Sequence, residues 1–357
     1  MGDGPAALTK QYGAPGIDSV KRRDSFSGVR PPGRWRQLVV ARVAVLATYR
    51  HPAVCHCRNR SAPFVADVGA PDRTWAGWRG KYVTDESSGR ARAFRFGIVA
   101  PVLPDVRTWR EQVRRIADHG YSTVLMPDFP RLQPSPAVAL AVAATIADVR
   151  VGTWVYAAPL RASWLTAWEA HSLTELTQGR FEMGIGAGRP GIEDELRARG
   201  LPVPSPGQRL DLVRESVAAL RELDGEQGHT PVAMAVLGPS ARALAAEIAD
   251  TVTFAMTPDE PRAAVEQRIH EFHTSRDVEL SMHIPVVGNT VSPFMAPPDT
   301  DTTALRAADS LAYLPPDPPA AADELRRRRE ETGVSYFAFG ANVADTFAPL
   351  VAELAGR

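Results

Sequence analysis

Glycine recurs at every second position at the end of the run Arg180-Phe181-Glu182-Met183-Gly184-Ile185-Gly186-Ala187-Gly188-Arg189. The run reads as a buried strand, and its glycines strip side chains from the strand end. A flat ring or a phosphate could then approach the backbone around Gly186, Ala187 and Gly188, although a tight turn would use the same residues. A second chemical signal is Gly238-Pro239-Ser240, a glycine turn that opens the helical run 241–249. Unpaired N–H groups and the helix dipole would converge there on an anion. Asp128, just before Phe129 and Pro130, could poise a proton or hydrogen-bond a ring, or simply cap its turn.

Other candidates read as structural. His171 lies inside a helical pattern, Glu193 to Glu195 suit the first turn of a helix, and the run 326–329 of four arginines covers more than a helical turn and reads as a solvated face. The sequence has two cysteines, Cys55 and Cys57, which make neither a disulfide framework nor, with His51 or His56, a convincing closed zinc site. No metal site is expected. Residues 94–357 hold no Ser/His/Asp constellation and no nucleophilic cysteine to compete with a cofactor-based reading.

The 357 residues are 44% hydrophobic, enough to bury a full core, and no apolar run is long enough to span a bilayer. A cytoplasmic protein is expected, with no membrane partner. Net charge is zero, yet residues 1–93 hold 16 Lys+Arg against 7 Asp+Glu while the remainder holds 25 against 34. That basic segment, rich in Arg, Pro, Gly and Ser and without periodicity, is expected to be a disordered leader or an over-extended start; it lacks the motifs of a nucleic-acid binder. From 94 onward, β-type runs alternate with helical patterns. Strands are expected at 95–102, 123–127, 151–157, 181–186, 231–237, 251–256, 279–287 and 335–339, and helices at 106–119, 135–147, 163–177, 205–223, 240–249, 261–275, 319–331 and 344–355. Eight such units fit a parallel (β/α)8 barrel, for which about 250 residues is typical, better than a doubly wound sheet, which would show fewer units. The proline-rich stretch 285–319 is expected to form long loops on the catalytic face.

Four segments, FRFGIVAPV (94–102), VRVGTWVYAAPLRASWLTAWEAHSLTELTQGRFEMGIGAGR (149–189), GPSARALAAEIADTV (238–252) and DELRRRREETGVSYFAFG (323–340), resemble the bacterial-luciferase-like oxidoreductases, particularly the subgroup that uses the deazaflavin coenzyme F420. The resemblance implies a luciferase-like TIM barrel over 94–357, with the cofactor across the C-terminal strand ends. It implies that Asp128 lies near the cofactor ring and that Val155, Tyr156 and Ala157 form a third-strand bulge behind it, often with a non-proline cis peptide. Gly186, Ala187 and Gly188 would line the cofactor, and Gly238, Pro239 and Ser240 would receive its phosphate. The implied activity is hydride transfer between coenzyme F420 and a small organic substrate. The alternatives are an FMN-dependent monooxygenase and a non-catalytic barrel subunit, with a homodimer or a homologous subunit as protein partner. Three features depart from the family pattern: Phe129 replaces a histidine after the acidic residue, the hairpin before strand five is missing, and Ala157-Ala158 stands where an asparagine is frequent.

Overall fold

The computed structural model describes residues 92–103 and 105–357. The leader, up to residue 91, and both cysteines lie outside the described residues, so the expectations placed on them have no structural counterpart. All eight expected barrel strands form, and the first seven are β1 (Arg95–Val99), β2 (Thr123–Met126), β3 (Arg150–Thr153) continued by β4 (Tyr156–Ala157), β5 (Phe181–Gly186), β6 (Val232–Val236), β7 (Thr251–Phe254) and β8 (Glu279–Ile284). Then β9 (Val286–Val287), β10 (Thr290–Val291) and β11 (Tyr313–Leu314) make a small separate sheet before β12 (Tyr336–Gly340), the eighth barrel strand. Barrel pairings are parallel, and the sheet closes because β3 pairs with both β2 and β5, with Val151 opposite Phe181.

The helices are α1 (Val106–Asp118), α2 (Pro136–Ile146), α3 (Ser163–Leu176), α4 (Ile192–Ala198), α5 (Pro206–Asp224), α6 (Pro239–Ile248), α7 (Arg262–His270), α8 (Thr302–Ala307), α9 (Pro318–Thr332) and α10 (Ala348–Leu354). Their boundaries carry local causes. Asp105 accepts from the N–H groups of Arg107 and Thr108 to start α1, Ser205 and Gln208 form a reciprocal capping box on α5, and Gly333 ends α9 at φ 75°. Apolar strand residues such as Phe181, Met183 and Ile185 point outward into the main core beneath the helices. The alternate residues point into the barrel.

That interior is filled in layers. At the N-terminal end, Glu182 receives Arg95 and Arg150, the latter at 2.8 Å, while Arg95 also reaches Glu279 at 2.7 Å. The Arg95 guanidinium lies 3.7 Å from the centre of the Tyr336 ring. Burial alone would raise the Glu182 carboxyl, but the two guanidiniums overcome it and hold the group at about 2. Above this layer Gly97 leaves room for the Tyr336 hydroxyl, which a Cβ would approach to 2.7 Å. An apolar cluster of Val99, Leu125 and Ala338, joined by Trp154 and Met295, completes the upper interior.

The third strand leaves the sheet after Thr153, and the Trp154–Val155 peptide is cis, so the expected continuous strand 151–157 becomes two pieces. Thr153 donates its hydroxyl to the Gly184 carbonyl at 2.6 Å. A Cβ on Gly184 would collide with the Thr153 carbonyl oxygen and lie 2.9 Å from Val155 Cγ1. Gly184 is therefore demanded by a close backbone approach rather than by a turn.

The run of four arginines in α9 is less uniform than a solvated face. Arg328 is 1% exposed, and burial pushes its guanidinium down to about 10 despite the facing Glu324. It donates to the carbonyls of Leu311 at 2.8 Å and Tyr313 at 2.7 Å, tying down the segment that carries β11.

Two stability outcomes are expected. Glu182 contributes stability that is full above its ordinary value near 4.5 and lost as pH falls toward 2, because its folded-state value is depressed. Glu182→Gln should cost about 3–5 kcal/mol at neutral pH, the range for removing one partner of a buried ion pair, and should flatten this acid limb in urea melts recorded from pH 7 to 2. Gly184→Ala should cost about 1–3 kcal/mol or more by overpacking. Gly238→Ala, where a Cβ meets nothing within 4 Å, should leave the melting temperature within a few degrees of the parent.

Candidate active site

A cavity of about 550 Å³ opens at the C-terminal ends of the barrel strands, the end at which the strand-to-helix loops converge. Of the residues expected to form the site, Asp128, Val155, Ala157, Gly186, Ala187, Gly188, Gly238, Pro239 and Ser240 all line it. Tyr156 does not, which corrects its placement among the cofactor-lining residues. Its side chain is wholly buried outside the lining, and the Arg161 guanidinium lies 4.2 Å from its ring centre. Its part is to support Arg161.

Arg161 fixes Asp128. Its Nη2 donates to Oδ1 of Asp128 at 3.0 Å and its Nε to Oδ2 at 3.2 Å, while the Ala157 N–H donates to Oδ2 at 3.3 Å. The carboxylate is 3% exposed and clamps the loop after β2 to β4. Both of its oxygens are thus engaged by the protein, an arrangement suited to positioning the bulge rather than to carrying a proton.

The glycines divide by role. Gly186 lies outside the left-handed region, and a Cβ there would sit 3.3 Å from Val155 Cγ2 and 3.6 Å from Ala235 Cβ, so its bare backbone lets these two cavity-lining residues close in on the end of β5. Gly188 has φ +96°, and its Cβ would meet Ile192 rather than the cavity. A side chain at Gly188 would strain the turn itself.

At the other wall, α6 begins at Gly238. The first intrahelical bond runs from the Arg242 N–H to the Gly238 carbonyl, and Pro239 has no N–H, so the N–H groups of Ser240 and Ala241 have no partner within the helix. No acidic residue occupies its first turn. Arg209, entering from α5, lines the same cavity, and its buried Nε has no hydrogen-bond partner. The remaining charge on this side is already balanced. Glu193 meets Arg209 Nη1 at 2.8 Å, and Glu195 meets both Arg189 and Arg199. The acids expected in the first turn of α4 thereby act on the cavity's arginines. His171 proves structural, bonding Asp224 at 3.0 Å between α3 and α5.

Several lining residues escape a linear reading. Phe129 lies between the Arg189 guanidinium, 4.5 Å from its ring centre, and the Phe294 ring at 5.0 Å. Phe294 holds φ 65°, a left-handed conformation uncommon for a bulky side chain and characteristic of functional loops. This expected loop region also carries Met295 into the cavity. His283, from β8, presents its ring edge to Trp154 with centroids 6.1 Å apart. Burial pushes its imidazole down to about 4, so it is neutral at pH 7. Its sequence signal was the alternation Glu279, Ser281, His283, a polar row every second residue that the closed barrel turns inward.

No helix among the described residues is long and apolar enough to cross a membrane. No curated protein matches the chain. Solved structures with the same fold include an F420-dependent secondary alcohol dehydrogenase in complex with an F420-acetone adduct, 17% identical over 73% of this chain and 98% of that one, with a TM-score of 0.55. They also include the coenzyme F420-dependent tetrahydromethanopterin reductase of Methanopyrus kandleri, 15% identical over 74% and 98% with a TM-score of 0.55. The monooxygenase RslO1 of Streptomyces bottropensis is 19% identical over 73% and 98%, again with a TM-score of 0.55. The luciferase-like monooxygenase family matches residues 91–342, which include every barrel strand and the whole cavity lining, and the chain belongs to that family.

Proposed function

We propose that residues 94–357 form an oxidoreductase that moves a hydride between coenzyme F420 and a small organic substrate. The observation that carries this reading is the convergence on one cavity of the glycine-rich end of β5, Gly186 to Gly188, and an acid-free helix start at Gly238. The residues present fit such a cofactor. Val155, Ala157 and Gly186 would hold the ring. The backbone N–H groups of Ser240 and Ala241, with the unpartnered Nε of Arg209, would hold the phosphate. When bound, the deazaflavin supplies a two-electron hydride donor or acceptor.

The chain's own work is positional. Asp128 and Arg161 keep β4 against the end of β5, so that Val155 and Ala157 back the cavity. Phe129, Phe294 and Met295 cover it with apolar surface and keep water from the reacting carbon. FMN would use the same cavity and phosphate cradle, and in that case the protein would act as a monooxygenase.

The exposed face of α2 and α3 supports a homodimer as the quaternary state. Trp164 and Trp168 on α3 are 64% and 56% exposed and stack with centroids 6.5 Å apart, and Val138 on α2 is 64% exposed. An exposed pair of stacked tryptophans is the kind of aromatic anchor enriched at protein interfaces. Sedimentation velocity should give a dimer for the parent and a monomer for the Trp164→Glu, Trp168→Glu double variant; a monomeric parent would refute the assignment.

Absorbance titration of the full chain with coenzyme F420 and with FMN tests the main reading. Saturable binding of F420, tighter than that of FMN, is the expected result. Preference for FMN would instead favour the monooxygenase, and binding of neither would favour a non-catalytic barrel. Ser240→Ala should weaken the preferred cofactor about two- to tenfold, the worth of one hydrogen bond, and Ser240→Asp should weaken it more by placing a carboxylate in the anion cradle. A dephosphorylated analogue should respond to neither substitution.

A further inference from the structure

The cavity's ionisable groups divide sharply. Asp128 is paired with Arg161, Arg189 with Glu195 and Arg209 with Glu193, whereas the His283 ring forms no hydrogen bond or ion pair among the described residues. Its ring packs against Trp154, and its backbone is paired in the barrel opposite Ala338. The surface around it is apolar: Trp154 and Met295 pack on the cluster of Val99, Leu125 and Ala338, and the Phe129–Phe294 pair stands at the same cavity. A neutral imidazole can donate from one nitrogen and accept at the other. His283 is half-buried and lines the cavity, so a ligand entering there can take the place of water at its ring nitrogens.

Resting on the reading of this cavity as an oxidoreductase site, we propose that His283 anchors the substrate, hydrogen-bonding the one oxygen of an uncharged, largely apolar alcohol or carbonyl compound whose hydrocarbon body lies among Trp154, Met295, Phe129 and Phe294. The anchor is neutral at pH 7 because burial lowers its basicity, so it offers no countercharge. A carboxylate or phosphate ester placed against His283 would find no countercharge there, since Arg189 is engaged by Glu195 and the free Nε of Arg209 belongs to the cofactor phosphate site proposed above. The aromatic walls favour a planar ring, which can meet Trp154 and the phenylalanines edge-on or offset. The substrate class is therefore set by two features together: one polar contact and an apolar sleeve.

Benzyl alcohol, benzaldehyde and benzoate serve as probes for the full-length protein, with binding read by calorimetry and by quenching of tryptophan fluorescence that disappears in Trp154→Phe. Benzyl alcohol and benzaldehyde should bind saturably and benzoate at least tenfold more weakly. His283→Leu should weaken the two uncharged probes about three- to tenfold, in keeping with one lost hydrogen bond, while His283→Gln, which keeps a donor and an acceptor, falls between. A His283 ring nitrogen resonance, assigned by its absence in His283→Gln, should shift when benzyl alcohol is added to the parent protein, which keeps the test open should the leucine variant fail to fold. Unchanged affinity in His283→Leu, benzoate binding as tight as that of the alcohol, or no resonance shift at saturation would each overturn the anchor. F420 and FMN are titrated into the parent protein in parallel. Absence of cofactor binding in the parent itself would remove the oxidoreductase reading, whereas intact cofactor binding with an indifferent His283 would remove only the anchor.

Discussion

The departure of the third strand from the sheet at Thr153 sets the geometry of everything above it. A closed eight-stranded barrel fills its own interior with side chains, so a strand that leaves the sheet near the mouth turns its residues into wall for a site there. Here the Thr153 carbonyl oxygen occupies the space that a side chain at position 184 would need, and Val155 presses from the same side. Gly184 thus permits the break, the Thr153 hydroxyl fastens it, and β4 resumes the pairing two residues later against Ile185 and Gly186. Trp154, Val155 and Ala157 become cavity wall as a result. Asp128 and Arg161 then lock the resumed strand from outside.

Charge follows the same division between plug and mouth. At the closed end, Glu182 and Glu279 share Arg95 while Arg150 also meets Glu182, so buried ions satisfy one another with little left for a ligand. At the open end Asp128 lines the cavity and the α4 carboxylates of Glu193 and Glu195 lie behind its lining, each committed to an arginine. The lining that remains is mostly apolar with a few directed donors, the composition typical of a small-molecule site. Residues 94–357 contain no lysine, so every permanent side-chain cation here is a planar guanidinium able to pair and to stack. Arg161 over Tyr156 and Arg189 over Phe129 do both at once.

Much of this was legible in the sequence because strand and helix periods are local properties. All eight strands, the helix starts at Ser205 and Gly238 and the glycine-rich end of β5 could be placed from patterning and turn chemistry. What local pattern could not supply was depth. Tyr156 belongs to the right segment but is turned away from the cavity, and Arg328 sits within a run of four arginines yet is the one that is buried. His283 and Phe294 reach the cavity from strands and loops more than a hundred residues beyond Asp128, and only barrel closure brings them together.

The glycines show why a spacing has to be read in its fold. Gly186, Gly188 and Gly191 have the Gly-x-Gly-x-x-Gly interval of a dinucleotide-binding turn, followed by a helix. In that motif the helix start is kept free of acid so that it can receive a pyrophosphate. The helix here, α4, has only seven residues and carries Glu193, Asp194 and Glu195 in its first turn, so its positive end faces its own carboxylates. Those carboxylates in turn bind Arg189 and Arg209. An anion at α4 would have to displace them, whereas α6, one strand further around the barrel, has a longer helix, no first-turn acid and the free Nε of Arg209 at the same cavity. Competition between helix starts for negative charge, rather than the glycine interval, makes Gly238-Pro239-Ser240 the better anion cradle of the two.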